Sequence, residues 1–239
     1  MTKYSCNDAG LVTRMERLDR SETLTSLVVA YDAAGRLVTE GNKTYRYGYL
    51  DKVMSVSEDD KTYTYMYHPD GQLARANYGG KSEEFLWDGL ALIQRGDEHF
   101  INEPHIGGGN PVASSKGTSY FNDMLGTTIG AKQEGKYSAA ALTAFGENLS
   151  VDSPTPTQNS NFFTGKPYVE GLGHTFLMRN YRASLSKWQT ADPMGYPDGW
   201  NALTYCCNST ISCIDIAGAW MTSAHGDFLG TLYYMMVAE

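Results

Sequence analysis

Five stretches in the first hundred residues share one pattern, and that repetition limits the folds open to the chain. YSCNDAGLV starts at Tyr4, YDAAGRLV at Tyr31, YGYLDKVMSV at Tyr47, YHPDGQLARA at Tyr67 and FLWDGLALIQ at Phe85. The acidic anchors Asp8, Asp32, Asp51, Asp70 and Asp88 recur at intervals of 24, 19, 19 and 18 residues. A period near 20 fits two short strands and two turns per unit. The aromatic packs on a strand face, and the Asp, or Asn-Asp, caps the turn through its own side chain. The Gly that follows takes the positive-φ position of a tight turn. The Leu-x-x after it starts the next strand. Between units, KTYRYGY and KTYTYMY alternate aromatic and polar residues at period two, which predicts strands with one buried face. Stacked hairpins of this kind build a long antiparallel sheet whose edges need covering.

The composition agrees. Among 239 residues there are 17 Tyr and 25 Gly, the one suited to half-buried strand positions and the other to the turns between them. A net charge of −8 without any Lys/Arg cluster argues against nucleic acid as a partner. Cys6 stands alone, and Cys206, Cys207 and Cys213 crowd together without a C-x-x-C pair or a histidine at ligand spacing. Buried free thiols are the expectation, and neither a metal nor a cofactor is expected. The histidines at 68, 99, 105, 174 and 225 form no recognised metal motif. The opening MTKYSCNDAG has no apolar signal region. The most apolar run, FLGTLYYMMVA, is about half the length of a transmembrane helix. The chain is expected to be cytoplasmic, or else a piece of a longer protein whose export signal lies elsewhere and so secreted or cell-surface.

The Y-D-x-x-G-R-L of residues 31–37 resembles the tyrosine-aspartate (YD) repeat of RHS proteins and teneurins. Further motifs follow in the order expected of an RHS repeat-associated core. FINEPHIGGGNPVA is similar to its G-x-G-x-N-P-x-A segment, SYFNDMLGTTIGA to its Y-x-x-D-x-L-G-T turn, and LTAFGE to its Y-x-x-F-G-E element. FFTGKPYVEGLGHTFLMRNYRASLSKWQTADPMG resembles the long block that ends in R-Y-Y-D-P-x-x-G-R-F-x-x-x-D-P-x-G. The resemblance covers roughly residues 4–218. It implies YD repeats over 4–100, the core over 101–218 and a short variable tail over 219–239. The fold it implies is all-β: stacked antiparallel β-hairpins in a spiral sheet that continues into the core, as a partial shell.

Proteins of this family, including the shell components of Tc toxins, close such a sheet into a hollow cocoon plugged by the core. In many members the core cuts the chain just behind itself and so frees a C-terminal toxin within the shell. The partners implied are the remaining YD-repeat shell or a second copy of the chain, a C-terminal toxin cargo, and an immunity protein. The cleavage is attributed to two D-P-x-G turns. Here the first is Asp192-Pro193-Met194-Gly195 and the second Asp215-Ile216-Ala217-Gly218, with the spacing off by one residue and the second proline absent. The resemblance places the cut between Ala219 and Trp220. It also matches Arg179 to the arginine that opens the R-Y-Y-D block, where a cation biases the pKa of a nearby Asp. The Asp of that block is Arg182 here. Two carboxylates held close cannot both ionise; one serves as general base while the other, protonated, polarises the scissile carbonyl. The residues alone leave a second reading open, in which Asp192 and Asp215 are turn formers and nothing more.

Other features read as structural. Asp198, in YPDGW, reads as a turn residue, and Gly107–Gly109 as a sharp turn, since the Lys and Ser/Thr of a phosphate loop are missing. DSPTPTQNSN, residues 152–161, reads as an exposed loop. Five repeats give only part of a shell. The 21 residues after Gly218 are too few for an enzyme domain, and His225 and Asp227 within them read as incidental. The competing function is a cell-surface module that binds carbohydrate or another cell through its Tyr/Trp-rich strands, without catalysis.

Overall fold

The computed structural model describes residues 2–8, 10–19, 22–105, 108–148 and 161–223. Fifteen strands, from β1 (Thr2–Cys6) to β15 (Lys136–Ala139), pair in chain order in one antiparallel sheet whose order is linear rather than closed. A second sheet has five strands: β16 (Phe162–Phe163), β17 (Lys166–Val169), β18 (Gly173–Thr175), β19 (Asn180–Arg182) and β20 (Lys187–Trp188). A last hairpin joins β21 (Cys213–Asp215) to β22 (Met221–Ser223). No α-helix occurs among the described residues, and none of their helices is long and apolar enough to cross a membrane. The molecule is all-β, built of stacked antiparallel hairpins.

The repeat explains the large sheet turn by turn. Asp32 Oδ1 accepts the N–H groups of Ala34 and Arg36 at 3.0 Å each, and Gly35 sits at φ 76°. Asp70 Oδ1 accepts Gln72 N–H at 2.9 Å, beside Gly71 at φ 90°. The turn at Asp51 departs from this scheme. No glycine follows the Asp, and Leu50 and Asp51 themselves take φ 54° in a short 3-10 turn, Tyr49–Asp51. At Tyr31, Tyr47 and Tyr67 the strand register slips, the β-bulge that adds local twist to a sheet. Each later aromatic then reaches back to a backbone carbonyl. Tyr47 donates to Leu37 at 2.6 Å, Tyr67 to Val53 at 2.8 Å, and the Trp87 indole to Leu73 at 2.8 Å. The acceptors belong to the buried apolar residues that follow the turns, so side-chain hydrogen bonds tie one repeat to the next.

The alternation in β5 (Lys43–Tyr47) and β7 (Lys61–Tyr67) puts Tyr45, Tyr63 and Tyr65 on the buried face. That face, with Val29, Leu37, Val53, Val56, Leu73, Phe85 and Leu92, packs against Phe162, Val169, Leu172 and Leu185 of the smaller sheet. Burial of each such side chain contributes about 1.5–3 kcal/mol. Polar ties cross the same interface. Tyr65 donates to the Glu170 carbonyl at 2.6 Å, Arg95 to the Tyr168 carbonyl at 2.8 Å, and Lys52 to the Leu177 carbonyl. Burial pushes the Lys52 pKa down to about 8.

One sequence expectation changes here, and one gains detail. The cysteines are free, but only Cys206 is buried; Cys6 and Cys207 are exposed and Cys213 is half-buried. Cys206 and Cys207 lie in a tight left-handed 3-10 turn, Cys206–Asn208, which turns one side chain in and the other out. Of the glycine run, Gly107 lies outside the described residues. Gly108 and Gly109 take φ 93° and 145°, and Cβ atoms there would overlap Leu90 and Ala91. They allow a close backbone approach.

Candidate functional site

The smaller sheet carries its own aromatic core of Phe163, Phe176, Tyr181, Trp188 and Tyr205, with Leu203 and Cys206. Arg179, the residue just before β19, enters it. Its guanidinium carbon lies 4.3 Å from the Trp188 ring centroid, a cation–π contact that holds the cation in a place with little water. Every polar group of the head is used. Nε donates to the Gly218 carbonyl at 2.6 Å and Nη1 to the Ala202 carbonyl at 3.1 Å. Nη2 lies 2.6 Å from Asp192 Oδ2 and 3.3 Å from Asp215 Oδ2. The three side chains are 2%, 4% and 1% exposed, so the two carboxylates share one nitrogen away from solvent.

Each carboxylate also shapes its own turn. Asp192 Oδ1 accepts Met194 N–H at 2.8 Å, and Gly195 N–H closes the turn on the Asp192 carbonyl at 3.0 Å. Asp215 Oδ1 accepts three N–H groups: Ala217 at 3.2 Å, Gly218 at 2.6 Å and Ala219 at 3.1 Å. This is the chemistry of the Asp32 turn repeated, and there too the second oxygen meets an arginine, Arg36 at 2.7 Å. What separates the two sites is burial and the sharing of a single cation. In each site Asp, one oxygen forms the turn while the other is given to Arg179. Ile216, in place of proline, is itself buried, and the three N–H bonds aim the Asp215 carboxylate without it.

Burial pushes the Asp215 pKa up to about 7, against the opposing pull of Arg179 and the Ala219 and Gly218 N–H groups. Burial also raises Asp192, opposed by Arg179 and Met194 N–H. Arg179 is lowered by its own burial, with Asp215, Asp192 and Asp198 acting the other way. Nearby, fully buried Lys166 is pushed down to about 8 by burial, with Asp215 opposing.

Ala219 and Trp220 lie in the loop between β21 and β22. Ala219 is fully buried and Trp220 half-buried. The structure thus brings Arg179, Asp192, Asp215 and Ala219 into one network. Arg182 is directed elsewhere, into a 2.7 Å ion pair with Glu40 of β4 (Leu37–Glu40). Residues 152–160 of the Pro/Ser-rich loop, and the tail from 224 with His225 and Asp227, lie outside the described residues. Two contributors gave no sequence signal. Trp188 lies under the guanidinium, and the Tyr205 hydroxyl accepts Asp215 N–H at 3.3 Å. Both read as ordinary core aromatics.

Comparison with known proteins places the architecture. No protein-family model and no curated protein matches the chain. Solved structures match it in fold. The crystal structure of TcdB2-TccC3 superposes with a TM-score of 0.62 at 13% identity, over 91% of this chain and 13% of that one. The Photorhabdus luminescens Tc holotoxin pore, in a form with a mutation in TccC3, gives a TM-score of 0.65 at 14% identity, over 95% and 13%. TcdB2-TccC3 without its hypervariable C-terminal region gives 0.61 at 14%, over 91% and 13%. The chain has the stacked-hairpin fold of part of these Tc toxin chains and spans about 13% of their length.

Proposed function

We propose that this chain is a wall-and-plug segment of an RHS-type toxin-delivery shell, and that its core cuts its own backbone between Ala219 and Trp220. One observation carries the reading: Asp192 and Asp215 share Nη2 of buried Arg179, directly beneath the loop that holds Ala219. A turn former needs neither burial nor a partner carboxylate.

The chemistry is hydrolysis. With Asp215 pushed up to about 7, that carboxyl is the proton donor near neutral pH, and Asp192, 2.6 Å from Arg179 Nη2, is the proton acceptor. A water oxygen adds to the Ala219 carbonyl carbon and gives its proton to Asp192. The C–N bond to Trp220 breaks, and the nitrogen takes the proton of Asp215. The products are an Ala219 carboxyl, whose remaining proton returns to Asp215, and a Trp220 amine, which takes up the proton held by Asp192. Arg179 supplies fixed positive charge in a site of low dielectric, where such charge is most effective. The wall function rests on the linear sheet order: β1 and β15 stand at its ends, where further hairpins extend a sheet of this kind. The partners in this reading are the rest of the shell and the segment that follows Trp220.

Intact-mass measurement of the purified chain over days tests the reading. Loss of the segment from Trp220 onward, stopped by Asp192→Asn and by Asp215→Asn, supports it. A wild-type chain that stays whole overturns the cleavage.

A further inference from the structure

A third carboxylate borders the same loop. Met221 donates its N–H to both oxygens of Asp198, at 3.0 Å each. Asp198 lies in the segment that links Asp192 to the rest of the core, and Cys207 Sγ donates to its backbone carbonyl at 2.5 Å. The peptide between Ala219 and Trp220 is therefore flanked by two carboxylates. Asp215 holds the N–H of Ala219, the residue before the bond, and Asp198 holds the N–H of Met221, the residue after Trp220. Strand pairing of Asp215 with Met221 closes the loop behind them. Arg179 holds the Gly218 carbonyl in the same frame.

We propose that Asp198 is a positioning residue for the cleavage, fixing the amine side of the Ala219–Trp220 bond by holding Met221 N–H. The inference rests on the cleavage reading above. Among the described residues, the titratable groups here are Arg179, Asp192, Asp215 and Asp198 itself, with Lys166 acting on Asp215 and the Cys206 and Cys207 thiols on Asp198. A hydrogen-bond acceptor is what the role requires, and Asn keeps one oxygen for it. Orientation of a reacting bond is worth about 100-fold in rate when it is lost by an ångström.

The test compares cleavage rates of the whole chain, by intact mass, for wild type, Asp198→Ala and Asp198→Asn from pH 5 to 9. Asp198→Ala is expected to slow cleavage about 100-fold. Asp198→Asn is expected to restore most of the rate, and the pH profile of both variants should move alike to lower pH, because each loses the Asp198 charge that raises Asp192 and Asp215. Amide hydrogen exchange at Met221 should quicken in Asp198→Ala and stay slow in Asp198→Asn, a readout that needs no cleavage. Wild-type rates in Asp198→Ala overturn the proposal and leave the cleavage reading standing. Equal failure of Asn and Ala at every pH overturns it in favour of Asp198 as a proton-transfer group. A wild type that never cuts overturns both. Urea midpoints keep a folding defect in the Ala variant apart from a positioning one, and the Asn variant then decides.

Discussion

Arg182 and Glu40 close a 2.7 Å ion pair between β19 and β4, with side chains 6% and 5% exposed. Glu40 also accepts the Tyr45 hydroxyl at 2.6 Å and the Ser184 hydroxyl at 3.1 Å. Arg182 stands where the resembled core pattern has Asp, and here it fastens the small sheet to the large one. Burial works to raise the Glu40 pKa, but Arg182 and the Tyr45 hydroxyl outweigh it and hold it below the ordinary carboxylate range.

Removing one partner of this pair strands a buried charge. Arg182→Ala is expected to lower stability by about 3–5 kcal/mol, while a double replacement with apolar side chains of similar volume restores most of it. Urea unfolding at pH 7 measures both. Because the folded pKa of Glu40 is lowered, its contribution is present above the unfolded value of about 4.3 and is lost as pH falls through the folded value. A double variant no more stable than Arg182→Ala would show that the pair is not the tie described.

Asp215 has the opposite sign. Its folded pKa of about 7 lies above the unfolded value of about 3.9. The folded state holds the proton more tightly between those values. The contribution is full below about pH 4 and is lost as pH rises to about 7. Asp192 and Asp198 are raised too and act in the same sense. Asp215→Asn should therefore flatten the fall in urea midpoint between pH 4 and 8. Parallel curves for the two proteins would refute the assignment.

Arg179 makes four polar contacts that lysine cannot reproduce from one ammonium. On the proposed cleavage, Arg179→Lys should fold, keep the charge and cut at least about 100-fold more slowly, since in that reading the guanidinium orients the loop and fixes the acid pair. Arg179→Ala leaves two buried carboxylates without a cation and should cost about 3–5 kcal/mol. Mass spectrometry and urea unfolding separate the two effects. Wild-type cleavage in Arg179→Lys would deny the arginine its role.

Gly171 sits at φ 78°, and a methyl group there would overlap the Tyr65 hydroxyl that donates to the Glu170 carbonyl. Gly171→Ala should destabilise by about 1–3 kcal/mol through strain and the clash. Tyr65→Phe alone should cost about 1 kcal/mol for the lost hydrogen bond. The double variant should cost less than the sum, because Phe removes the atom the methyl meets. Strict additivity in a denaturation cycle would mean the two sheets do not meet as described.

Much of the large sheet could be read from the chain. The strands at 43–47 and 61–67, their buried tyrosines and the Asp-capped, glycine-closed turns at 32–35 and 70–71 all follow from contacts within a few residues. The turn at Asp51 was less legible, because left-handed conformations fell to Leu50 and Asp51 where no glycine announces them. Burial of the cysteines is not legible in the chain, since neighbours in sequence face opposite ways in a tight turn. Arg182 could be seen only as a departure from a pattern; its partner Glu40 lies in a strand read for other reasons.

The site shows where local reading stops. Asp32, Asp192, Asp198 and Asp215 all occur in short Asp/Gly turns, and turn chemistry alone gives no ground for ranking them. Sequence determined the repeat, the turns and the buried sheet face, because side-chain caps, glycine dihedrals and strand alternation act over one to four residues. Tertiary structure alone decided that Asp192 and Asp215 meet one nitrogen of Arg179 above Trp188, and that Asp198 holds the Met221 N–H of the same loop. Shared burial raises the pKa of a carboxylate, and burial belongs to the packed sheets rather than to any stretch of chain.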